Sequence, residues 1–144
     1  MNKRLRSLIV GAVSGAIVFQ IAVYFLGYTA AITVPASIAD WAVDRSVSLP
    51  LLFVWELFVV QFLGIGVLAA VVSYVLLTFS RFEWFYLATG FVIAEAIFAY
   101  SWLFSSLLDD QVFNNNYLWF MPHFIVVCLC IFVAAGLGSK KQRA

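Results

Sequence analysis

Phe82–Leu108 reads FEWFYLATGFVIAEAIFAYSWLFSSLL. The stretch is apolar for long enough to cross a bilayer, whose hydrocarbon core of roughly 30 Å needs about 20 apolar residues of helix. It carries one carboxylate, Glu95, near its centre. Three other apolar stretches of similar or greater length accompany it, and none holds an ionisable side chain so close to its middle. Read together, they predict an all-α integral membrane bundle of four transmembrane helices, over residues 5–27, 51–79, 82–108 and 117–137, forming one domain across residues 1–144.

Composition supports this. The chain is 65% hydrophobic and 10% charged, against about 45–50% and about 25% for a soluble domain. Four crossings use nearly all of its 144 residues. No room is left for a separate soluble catalytic or nucleic-acid-binding module, and the formal net charge of +1 gives no hint of a polyanionic partner.

The basic start, MNKRLR, followed by an apolar run resembles a signal peptide. The run is longer than the usual h-region of about 7–15 residues, so a retained first helix is expected. Gly11 and Gly15 form a G-x-x-x-G, a spacing that lets helix backbones approach closely, here within the chain. Gly27 or the residues up to Val34 end this helix. After Pro35, Thr33 or Ser37 is expected to cap a short interfacial helix over residues 36–47, with Trp41 at the headgroups.

Ser48-Leu49-Pro50 reads as the start of the second crossing, with the serine as cap. Gly64 and Gly66, with Ala69, Ala70 and Ser73, give that helix a small-residue seam. Ser80–Glu83 is a tight turn, and helices joined this briefly are expected to be antiparallel neighbours. Gly90 and Ala94 make another small-x-x-x-small pair. Asp109-Asp110 and Asn114–Asn116 form an external loop. Pro122 kinks the fourth helix or marks a start near Met121, and Gly136 and Gly138 are expected to close it.

Orientation follows from the charges. Lys3, Arg4, Arg6, Arg81, Lys140, Lys141 and Arg143 fall on one face, with Glu83 the only acid. Arg45 is the only base on the other, beside Asp40, Asp44, Asp109 and Asp110. The positive-inside rule then places both termini in the cytoplasm, and the location is read as the bacterial inner membrane.

Five polar side chains within the apolar stretches are left to carry function: Gln20, Glu56, Gln61, Glu95 and His123. Counted from helix midpoints at 1.5 Å per residue, Glu95 falls near the midplane. On the same count Gln20, Gln61 and His123 lie roughly 6–8 Å outward and Glu56 roughly 13 Å outward. A charged Glu95 facing lipid would cost about 2.5–3.5 kcal/mol or more. It is therefore expected to face the bundle or an oligomer axis, or to be neutral. Two roles compete: an ion or proton site, or a glutamic acid bonded to Gln61, His123 or a partner helix that glues the bundle. Glu56 reaches water or pairs with Arg45 or His123. Cys128 and Cys130, two apart, point about 200° from each other on a helix and neither grip a metal from one face nor form a C-x-x-C pair. A lone histidine makes a poor metal site, so neither a metal nor a cofactor is expected.

These groups favour a non-enzymatic component that self-assembles into an oligomer, as a pore, an ion-conducting element or a membrane sensor, with Glu95 or Glu56 repeated as a carboxylate ring. The alternative is an accessory subunit of a larger inner-membrane complex, with the basic tails meeting anionic lipid or docking a cytoplasmic protein partner. A lipid-carrier flippase and an intramembrane enzyme rank lower, because no nucleophile-and-base pair or cofactor motif is present.

Overall fold

The computed structural model describes residues 2–101 and 116–143, with the side chains of 2–101 and 121–141. Among these the chain is all helix and turn. The helices are α1 (Lys3–Ala30), α2 (Ala36–Asp44), α3 (Ser48–Phe79), α4 (Trp84–Phe98) and α5 (Asn116–Arg143). Lys3–Ala30, Ser48–Phe79 and the Met121–Lys141 part of α5 are long and apolar enough to cross a membrane. The expected external loop lies outside the described residues, except that Asn116 is the first residue of α5.

The side-chain pattern of α1 is compatible with a lipid surrounding. Leu5, Ile9, Val13 and Ile17, spaced four apart, all face outward, while Ser7, Gly11, Gly15, Val18 and Ala22 face inward. Large apolar side chains outside and small ones inside would be the wrong way round in water. In lipid, burying leucine brings no gain, and helices associate where small residues allow close contact.

The closest approach is between α1 and α4. A Cβ on Gly11 would fall on the Leu87 carbonyl, and one on Gly90 would fall on the Leu8 carbonyl and 2.9 Å from the Ala12 nitrogen. A Cβ on Gly15 would lie 2.9 Å from the Ala94 Cβ and the Phe91 carbonyl oxygen. α3 packs mainly on α5, and the ring closes through α1 on α3 and α4 on α5. Gly64 of α3 faces Leu26 and Thr29 of α1, Gly66 faces the Cys130 Sγ, and Gly138 of α5 faces the Tyr74 carbonyl. Around the bundle the order is α1, α4, α5, α3. The core is Val18, Ala22, Ile65, Ala69, Leu77, Leu87, Ala88, Phe91, Val127, Ile131 and Ala135.

Several local expectations are corrected. α3 and α4, though joined by Ser80–Glu83, lie across the bundle from each other instead of side by side. The loop is drawn over α1, where the Glu83 N–H donates to the Ser7 hydroxyl at 2.9 Å. α1 runs through Ala30. Neither Thr33 nor Ser37 caps α2, which follows Pro35 directly, and Ser48 is the first residue of α3 rather than its cap. Gly136 and Gly138 do not end α5, which continues to Arg143; Pro122 sits inside it.

The largest difference concerns the third crossing. α4 stops at Phe98, and its 15 residues span about 22 Å. Ala99 and Tyr100 form a turn in which both N–H groups donate to the Glu95 carbonyl, at 2.8 and 3.3 Å. Residue 101 is helical again, and the remainder of the expected helix, to Leu108, lies outside the described residues. No proline or glycine marks the break. Glu95 thus stands in the last turn of α4 and not at the middle of a continuous helix.

α2 ends in a Schellman arrangement, with Ser46 N–H on the Val43 carbonyl (3.0 Å) and Val47 N–H on the Ala42 carbonyl (2.9 Å). Ser46 closes it at φ 56, the left-handed region that favours glycine. Ser46→Gly is expected to stabilise the fold by up to about 1 kcal/mol. Gly90→Ala is expected to cost at least about 1–3 kcal/mol by wedging α1 from α4. Gly136→Ala, which meets no atom within 4 Å, is expected to cost nothing. Thermal unfolding of the three variants in one detergent checks the ranking; an unperturbed Gly90→Ala would contradict the packing described.

Candidate functional site

The α1–α4 seam determines where Glu95 goes. Ala94 is held against Gly15, and the next residue turns into the space between α4 and α5. Glu95 is 0% exposed. Neither carboxyl oxygen has a hydrogen-bond partner among the described residues. The expected bonds to Gln61 or His123 are absent. Tyr100 and Cys128 are instead its electrostatic neighbours. Tyr100 and Phe124 stack with ring centres 5.0 Å apart, and Val92, Ala96, Ala99, Met121 and Cys128 pack around the pair. Among the described residues, the polar groups shown beside the carboxyl are the Tyr100 hydroxyl and the Cys128 thiol, next to an apolar cluster.

Tyr100 is the residue the sequence reading missed. Its hydroxyl donates to Gln61 Oε1 at 3.1 Å, across from the turn after α4 to α3. In the sequence it is one of many aromatics in a long apolar stretch. The turn after Phe98 brings it inward, where it is 4% exposed, and no residue type in the stretch signals that turn.

Gln61 owes its position to an unusual backbone. Residues Glu56–Gly66 of α3 form a π-helix, with i→i+5 hydrogen bonds over 11 residues. Such turns are rare, are mostly single, and are common at functional sites. The ladder winds more loosely than 3.6 residues per turn, so Glu56 and Gln61, five apart, come round toward the same face. Glu56 lies within electrostatic range of His123 of α5. His123 is buried and stacks on Phe53 at 5.5 Å between ring centres. The Thr29 hydroxyl of α1 braces the segment, 3.3 Å from the Val60 carbonyl, and the Trp55 indole N–H donates to the Ile32 carbonyl at 2.9 Å.

Two groups are therefore distinguished: Glu95 with Tyr100 and Gln61, and, five residues back along α3, Glu56 with His123. Gln20 joins neither and lies on the exposed face of α1. Both cysteines are free and half-buried, Cys128 beside Glu95 and Cys130 against Gly66. Among the described residues no three His, Cys, Asp or Glu side chains gather around a point where a metal ion would sit.

Comparison with protein families, with characterised proteins and with solved structures gave no match.

A buried carboxyl without a donor is a burden on stability, since an apolar residue of similar size would fill the space without desolvating two oxygens. Glu95→Met is expected to raise the unfolding free energy by about 1–3 kcal/mol. Tyr100→Phe is expected to lower it by about 0.5–1.5 kcal/mol through loss of the Gln61 bond. Thermal unfolding in detergent checks both. A destabilised Glu95→Met would mean that the carboxyl has a binding partner in the bundle.

Proposed function

We propose that the chain is a non-enzymatic membrane component, inserted with its basic end and both termini in the cytoplasm. Its working group is Glu95, a carboxyl that takes up and releases a proton inside the bundle. The observation that carries this reading is the complete burial of Glu95 with neither carboxyl oxygen hydrogen-bonded among the described residues. A structural carboxyl has its oxygens satisfied. A carboxyl left unsatisfied at the bundle centre weakens the fold, a cost that function explains and packing does not.

A proton fits better than a metal cation. Hard cations take six or more oxygen ligands, and the described side-chain oxygens shown near Glu95 are the Tyr100 hydroxyl and, bonded to it, the Gln61 amide oxygen. The proton's route is read along the interior: Glu95, the Tyr100 hydroxyl, the Gln61 amide, then Glu56 and His123 toward the outer end of α3. The site lies within one chain. A ring of carboxylates around an oligomer axis would need Glu95 to face outward, and it faces the inside of its own bundle. Self-assembly is thus not required to build the site.

Reconstitution tests the reading. Liposomes containing the full chain and a trapped pH indicator, placed under a potassium diffusion potential, are expected to acidify faster than empty liposomes. Glu95→Gln is expected to slow that flux at least about tenfold, with no loss of thermal stability. Absence of flux, or a flux indifferent to Glu95→Gln, would sink the proposal.

A further inference from the structure

The basic end of the bundle holds a second site, independent of Glu95. The first turns of α1 and the Ser80–Glu83 loop meet there. Lys3, Arg6, Ser80, Arg81 and Phe82 line a cavity of about 280 Å³. A second cavity of about 300 Å³ shares Lys3 and Phe82 and is also lined by Glu83, the aromatic run Trp84–Tyr86 and Ser139. The acid at this end, Glu83, is engaged by Arg4 at 3.6 Å. Lys3, Arg6 and Arg81 are therefore left without a carboxylate among the described residues. Arg6 is held over the Phe82 ring, 5.7 Å from its centre, at the cavity wall.

Three exposed cations lining one concave surface raise the local concentration of anions there. We propose that this cavity binds the phosphate headgroup of an anionic membrane lipid. Guanidinium groups match phosphate oxygens in geometry and charge. The lining supplies the other half of the argument. Phe82 walls the cationic cavity, and the neighbouring cavity adds Trp84 and Tyr86, residue types that settle at the boundary between headgroup and acyl chain, with Phe85 beside them. Phe79, at 83% exposure, and the exposed Phe85 offer apolar surface beside the cavity for the tails. A soluble phosphate would need the cations and have no use for the aromatic wall.

The test is native mass spectrometry of the full chain in detergent, titrated with phosphatidylglycerol or phosphatidylcholine. One phosphatidylglycerol is expected to be retained in preference to phosphatidylcholine. The Arg6→Gln/Arg81→Gln double variant is expected to weaken its retention at least about tenfold. Arg81→Gln alone, at an exposed loop position, is expected to weaken it in the same direction if the double variant folds poorly. Lys140→Gln, at the same end but outside the cavity lining, is expected to leave it unchanged. Equal retention of both lipids, or wild-type retention by the arginine variants, would overturn the site. An equal loss in Lys140→Gln would make it a diffuse basic surface. Displacement of the lipid by equimolar inorganic phosphate would make it a soluble-anion site instead.

Discussion

The structure depends on the backbone contact between α1 and α4. In lipid a helix gains nothing by hiding leucine, so cohesion has to come from surfaces that fit. Gly11 and Gly15 on one side and Gly90 and Ala94 on the other bring two backbones to a distance that leaves no space for another Cβ at three of these positions. The same contact separates α4 from α3, its neighbour in sequence, and draws the Ser80–Glu83 loop over the Ser7 hydroxyl. It also sets the rotation of α4 about its axis. With Ala94 against Gly15, Glu95 is turned inward.

What surrounds that carboxyl is built from departures from regular helix. α4 ends one turn beyond Glu95, with two N–H groups sharing the Glu95 carbonyl, and the turn delivers Tyr100 to the interior. α3 loosens into a π-helix where it passes this point, and so presents Gln61 to Tyr100 and Glu56 to the side of His123. Irregular backbone at membrane depth is tolerated where protein covers it or where it lines a polar path. Both irregular segments here flank the same interior.

Much of this was legible in the sequence, and for identifiable reasons. Long apolar runs report helices of spanning length because lipid demands them, and the small-residue spacings at Gly11 and Gly15 and at Gly90 and Ala94 stand out against bulky neighbours. Glu95 stands out because a charge is expensive there. The turn after Phe98 was not legible: Ala99 and Tyr100 carry no breaking residue, and the turn is a tertiary effect. The π-helix over Glu56–Gly66 was equally hidden, since its residues are ordinary for an apolar α-helix. Loop length misled the placement of α3 beside α4, since a short loop limits distance at one end only. Ser48 and Gly138 were read as punctuation because local propensity suggests caps, whereas Gly138 serves contact with the Tyr74 carbonyl.

The proposed function has one centre, a neutral Glu95 carboxyl that would exchange its proton within the bundle. Infrared spectroscopy of the full chain in lipid tests it most directly, by comparing the wild type with Glu95→Gln before and after transfer from H2O to D2O. The account predicts a neutral carboxylic-acid carbonyl band that is missing in Glu95→Gln and that shifts in D2O as the proton exchanges. A carboxylate band in its place, or a neutral band that never shifts, would contradict it.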